Sequence, residues 1–76
     1  PEFNVKSKAL VIKMRQNRNS VAQIQFADKE GKVFFTDMSN AASIRKNYDT
    51  SELDAGTYTV VVKTPYTTYQ QAFEVE

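Results

Sequence analysis

The chain has 76 residues, a formal net charge of +1, and neither cysteine nor histidine. The first absence excludes disulfides, thiolate metal sites and cysteine nucleophiles, and the second removes the commonest general base, metal ligand and pH switch. One domain, residues 1–76, is all this length supports, with ~60–65% of the unfolded surface buried and no bulk electrostatic attraction to nucleic acid.

The N-terminal part is locally basic: residues 1–20 carry Lys6, Lys8, Lys13, Arg15 and Arg18 against Glu2 alone. Leu10, Ile12 and Met14 alternate with Val11, Lys13 and Arg15, a period of two that predicts a half-buried strand with Lys13 and Arg15 towards solvent. Residues 17–20, Asn-Arg-Asn-Ser, form a turn, because asparagine and serine bond to their own backbone and tolerate left-handed geometry. From residue 21 to 27, Ala22, Ile24 and Phe26 share one face and Gln23 and Gln25 the other. Residues 28–32, Asp-Lys-Glu-Gly-Lys, supply a glycine-containing hairpin turn before the returning strand Val-Phe-Phe-Thr.

The middle of the chain is less regular. Residues 37–43 are small and polar, as suits a loop crossing between sheets, and Ile44, Lys46 and Tyr48 fall on one side of a short strand. Residues 50–53 are expected to make one helical turn capped by Thr50 or Ser51, with Gly56 ending it in left-handed geometry. Tyr58, Val60 and Val62 then share a face of a β-branched strand. Residues 65–68 turn the chain, and Tyr69, Gln71, Phe73 and Val75 lie on one face of the last strand, with Tyr69 expected in the core.

Short strands about ten residues apart, with turns between them and no sequence for crossover helices, predict an all-β fold. The architecture expected is an immunoglobulin-like antiparallel β-sandwich of six or seven strands. The stretch Leu-Asp-Ala-Gly-Thr-Tyr, residues 53–58, fits its corner. Gly56 allows a sharp bend without a Cβ clash, Leu53 drops beneath the bend, and Tyr58 buries its ring while returning its hydroxyl to the backbone upstream. Leu53, Gly56 and Tyr58 are therefore read as structural.

The segments Phe-Ala-Asp-Lys-Glu-Gly-Lys-Val-Phe-Phe, Thr-Ser-Glu-Leu-Asp-Ala-Gly-Thr-Tyr and the closing Phe-Glu-Val-Glu resemble a group of small exported immunoglobulin-like modules of unknown function, known mainly from Bacteroidetes. The pattern positions are Asp28, Gly31, Lys32, Val33, Leu53, Gly56, Tyr58, Phe73 and Val75, within residues 21–76. The same pattern is similar to the C-terminal sorting domain of the type IX secretion system. The resemblance implies export to the periplasm, cell surface or medium. The start at Pro1 without methionine is in keeping with a processed or trimmed chain.

Nothing in the composition points to catalysis, and no catalytic residue, cofactor site or metal site is assigned. Asp49, Glu52 and Asp54 are close in sequence but lack the spacing of a calcium loop, and hard-cation cages need six to eight oxygens. Three residues are candidates for partner contact. Tyr66 follows Pro65 at a turn tip, where tyrosine supplies rigid contact area, and Lys13 and Arg15 offer charge. Lysine on an exposed strand is also the ordinary guard against edge-to-edge pairing. Nucleic acid is not expected as a partner, because the charges are not interleaved with aromatics. No run of ~18 apolar residues is present to span a membrane. The function expected first is a non-catalytic binding or accessory module for a protein or glycan. The alternatives are a secretion or sorting domain, or a structural spacer domain of a larger surface protein. The chain is expected to be a monomer or a dimer paired through its N-terminal strand.

Overall fold

Two turns show how short polar residues shape the chain. The Asp28 carboxylate accepts the N–H groups of Glu30 and Lys32 at 2.9 and 3.0 Å, and Gly31 takes a φ of +85° that closes the hairpin. Asn19 adopts φ +67°, the left-handed conformation asparagine tolerates, and Ser20 donates back to the Asn17 carbonyl at 3.2 Å. In the computed structural model, which describes residues 1–76, the segments between such turns are strands: β1 Glu2–Lys6, β2 Ala9–Arg15, β3 Ala22–Ala27, β4 Val33–Ser39, β5 Ser43–Asp49, β6 Gly56–Lys63 and β7 Thr68–Val75.

The strands form two antiparallel sheets, one ordered β1-β2-β5 and the other β4-β3-β6-β7. The molecule is thus an all-β, immunoglobulin-like sandwich of seven strands. The inward residues of the central strands fill it: Leu10 and Ile12 on β2, Ile24 on β3, and Val60 and Val62 on β6 have no exposed surface. Burying each such side chain contributes ~1.5–3 kcal/mol, which is how a chain without disulfides holds two sheets together.

Four local expectations are corrected. Residues 37–39 continue β4, so only residues 40–42 cross between the sheets. Gln16 holds that crossing by donating its side-chain amide to the carbonyls of Ser39 and Ala41 at 3.1 and 2.9 Å. Residues 50–53 form a turn, closed by Leu53 N–H to the Thr50 carbonyl at 3.1 Å, rather than a helical turn, and Gly56 opens β6 instead of capping a helix. The Gly56 φ is +154°, and no atom stands within 4 Å of where a Cβ would sit. Glycine is needed there for its dihedral, not for space. Tyr69 is 38% exposed although it lies in phase with buried Phe73, because only the last part of the edge strand β7 is covered by the opposite sheet.

The fourth correction concerns Lys13 and Arg15. The alternation of Phe3 and Val5 makes residues 2–6 a strand, and β1 pairs Glu2 with Lys13 and Lys6 with Ala9. This places β2 at the centre of its sheet. Lys13 and Arg15 therefore guard no edge. The strand that the sequence puts first, residues 10–15, is thus interior and cannot pair with another chain, and the edges of this sheet are β1 and β5.

Candidate docking surfaces

The bend at residues 53–58 is built as a tyrosine corner. The Tyr58 hydroxyl donates to the Asp54 carbonyl at 2.7 Å, and its ring stacks on Phe73 with centroids 5.8 Å apart. Leu53 packs, partly buried, against the core. Thr50, almost wholly buried, ties the turn to the β1–β2 connection through its N–H to the Lys8 carbonyl at 3.0 Å. The Leu53 and Tyr58 side chains thus pack, partly buried, against the core from this bend.

Next to the corner lies a feature that strict alternation does not anticipate. Phe26 pairs with Phe35 while Ala27 pairs with Val33, so Phe34 is the extra residue of a β-bulge. The bulge turns both phenylalanines towards the core side. Phe35 lies 5.2 Å from Phe26 and 5.5 Å from Tyr48, and Phe34 meets Tyr58 edge-on at 5.8 Å. Both remain open to solvent, at 39% and 44% exposure. With Phe26, Tyr48 and Leu53 they line a recess of about 320 Å³ at the mouth of the sandwich. The sequence signal was the Phe34-Phe35 doublet, which breaks the period of two.

One polar cluster closes the adjacent side between the sheets. Asp37 on β4 accepts the Tyr48 hydroxyl at 2.7 Å and its own neighbour's N–H, from Met38, at 2.8 Å, with Lys46 at 3.4 Å. The Tyr48 hydroxyl is the main cause holding the Asp37 carboxyl below its ordinary 3.8, followed by the Met38 N–H, with burial opposing and Lys46 adding a smaller pull downwards. Burial first, and then the Asp37 carboxylate, push the Tyr48 phenol far above its ordinary 10.0. Tyr48 therefore stays protonated, and a donor to Asp37, at neutral pH. The inward-facing lysine of the β5 pattern is thereby paired at the sandwich rim.

The three contact candidates gather at the opposite end. Thr64 accepts the N–H groups of Tyr66 and Thr67 through its hydroxyl, at 3.3 and 3.1 Å, which presents Tyr66 at the tip of the β6–β7 turn with 76% exposure. Arg15 joins two recesses. One, of about 190 Å³, includes Tyr66 and Tyr69, and the other, of about 430 Å³, includes Lys13 and Arg45. Arg45 was not singled out by the sequence. It is placed beside Lys13 by the β2–β5 register, information that no local pattern carries.

No group of three or more acidic side chains converges to hold a metal ion, and Asp49 instead accepts the Ser51 N–H at 2.8 Å. Hydrogen bonds from Ser51, side chain first, keep the Asp49 carboxyl below its ordinary value. No helix is long and apolar enough to cross a membrane. Among known proteins, the family model described as "Secretion system C-terminal sorting domain" matches residues 3–76. That range takes in β1 from Phe3 onward and the first basic segment as well as residues 21–76. No curated protein and no solved structure matches the chain.

Proposed function

The chain belongs to the family of secretion system C-terminal sorting domains, and on that membership we propose that residues 1–76 act as a folded, non-catalytic address that an export machine reads. The single observation that carries this reading is the family match over nearly the whole sandwich. A chain of this family is part of an exported protein; delivery to the cell surface, rather than retention in the periplasm, is the finer part of the proposal. The binding or accessory module expected first from the sequence gains nothing from the comparisons, and the sorting alternative replaces it.

A rigid sandwich suits such a role. Its surface features are fixed by register and corner rather than by a flexible tail, so a receptor meets one preformed shape and little ordering entropy opposes docking. The reader surface is proposed to include Tyr66, Lys13 and Arg15, which the fold brings to one end of the molecule. The test is a fusion of residues 1–76 behind a reporter in a bacterium with a type IX secretion system. Surface delivery of the fusion, absent for the reporter alone, is the expected result. Retention of a fusion whose sandwich is shown to be folded would overturn the proposal.

A further inference from the structure

The outer face of the β1-β2-β5 sheet carries an arrangement of charge that does nothing for the fold. Leu10 and Ile12 are wholly buried, so the odd-numbered β2 residues Val11, Lys13 and Arg15 lie on the outer face. Across the strands, Glu2 pairs with Lys13, Lys13 with Arg45, and Arg15 with Ser43. Two like charges thus stand directly opposite each other, where side chains are ~4.5–5.5 Å apart at Cβ and the pairing is destabilising. Arg15 adds a third cation two residues further along β2, ~6.6 Å away.

Glu2 answers only part of this charge. Its carboxylate lies 3.9 Å from the Lys13 ammonium, with both side chains largely in water, and it also accepts the Asn4 amide at 3.1 Å. An exposed pair of that length contributes ~0–1 kcal/mol at most. Neither Arg15 nor Arg45 has an acidic partner; the remaining ion pair in the structure joins Lys46 to Asp37 at the sandwich rim.

We propose that Lys13, Arg15 and Arg45 form a docking site for an extended acidic polypeptide segment whose carboxylates recur at every second residue. Charge complementarity names the ligand class, and strand geometry names its shape. Carboxylates on one face of an extended chain repeat every ~6.6 Å, the spacing from Lys13 to Arg15, and a guanidinium binds a carboxylate through two parallel N–H bonds. The remaining outward positions of the face carry Lys6 and Asp49 on either side of Ala9 at the far end of the strands, with short polar residues and a buried Val11 between, and no aromatic ring. It therefore has neither the stacking platform of a single-stranded nucleic-acid surface nor the apolar anchor of a membrane-binding one. The site stands on its charge geometry and not on the export reading.

Fluorescence anisotropy with a labelled peptide alternating threonine and glutamate tests the proposal on the whole chain. The expected result is saturable binding that weakens as salt rises from 50 to 300 mM, as screening of exposed charges requires. It should weaken at least tenfold on Arg15→Gln with Arg45→Gln, and remain unchanged on Lys63→Gln, a cation of the other sheet. Thermal melts confirm that both variants keep the fold, since no core side chain is altered. A threonine–glutamine peptide should not bind. Absence of binding by the glutamate peptide, equal binding by the glutamine peptide, or insensitivity to the double substitution overturns the proposal. Tighter binding of short-chain polyphosphate than of the glutamate peptide, lost in the same double variant, also overturns it in favour of a phosphate ligand. Because the readout is purified binding, its failure and a failure of surface delivery are scored separately.

Discussion

Replacing Tyr58 with phenylalanine removes one oxygen from the corner and leaves the ring stacked on Phe73 and edge-on to Phe34. The lost hydrogen bond, 2.7 Å to the Asp54 carbonyl, is worth ~0.5–1.5 kcal/mol. Asp54 is exposed, so water takes the freed carbonyl and the cost falls in the lower half of that range. For a domain of this size ~1 kcal/mol moves the midpoint by ~4–8 °C, which makes a drop of about 2–8 °C the expected result. Tyr58→Ala also empties the ring's place between two phenylalanines. Large aromatic-to-alanine changes cost ~3–5 kcal/mol, reduced here because the ring is only half-buried, yet still comparable to the whole stability of so small a domain. Thermal denaturation followed by circular dichroism, with urea titration for the free energies, separates the two contributions. An unchanged midpoint for Tyr58→Phe would refute the corner as a hydrogen-bonded lock. Equal losses for the two variants would refute the aromatic packing.

Gly56→Ala should cost about 1–3 kcal/mol through its φ of +154° alone, because the surrounding space is open; a urea midpoint equal to wild type would show that the bend relaxes freely. Ile24→Ala, at a position with no exposed surface, should cost ~2–5 kcal/mol and leave the protein largely unfolded at moderate temperature. Near-UV circular dichroism at rising urea reads that loss. Asp37 links stability to pH: its folded value lies below the ordinary 3.8, so its contribution is present above about pH 4 and fades as acid protonates the folded carboxyl. The difference in melting temperature between wild type and Asp37→Asn should accordingly be largest at neutral pH and shrink below pH 4. A difference that grew in acid would contradict the sign of that linkage.

Much of the fold was legible because strand structure writes a period of two into the chain. The alternations around Ile24, Val60 and Phe73, the hairpin at Asp28 and Gly31, and the hydroxyl return of Tyr58 are all properties of neighbouring residues and their turn chemistry. Strand β1 was missed because five residues hold only two apolar positions, Phe3 and Val5, too few to stand out until β2 pairs with them. The exposure of Tyr69 was missed for the converse reason. Its phase is correct, but phase says which way a side chain points and not whether another layer lies opposite.

By itself, then, the chain's residue order determined the all-β class, the turns and the corner, since these depend on dihedral preferences and hydrophobic period over a few residues. Tertiary structure alone decided that Arg45 stands beside Lys13, that Arg15 and Tyr66 line a common recess, and that the bulge at Phe34 exposes two rings at the sandwich mouth. Each of those depends on the register between strands distant in the chain. Register is fixed by packing the two sheets on one core, which no local stretch contains.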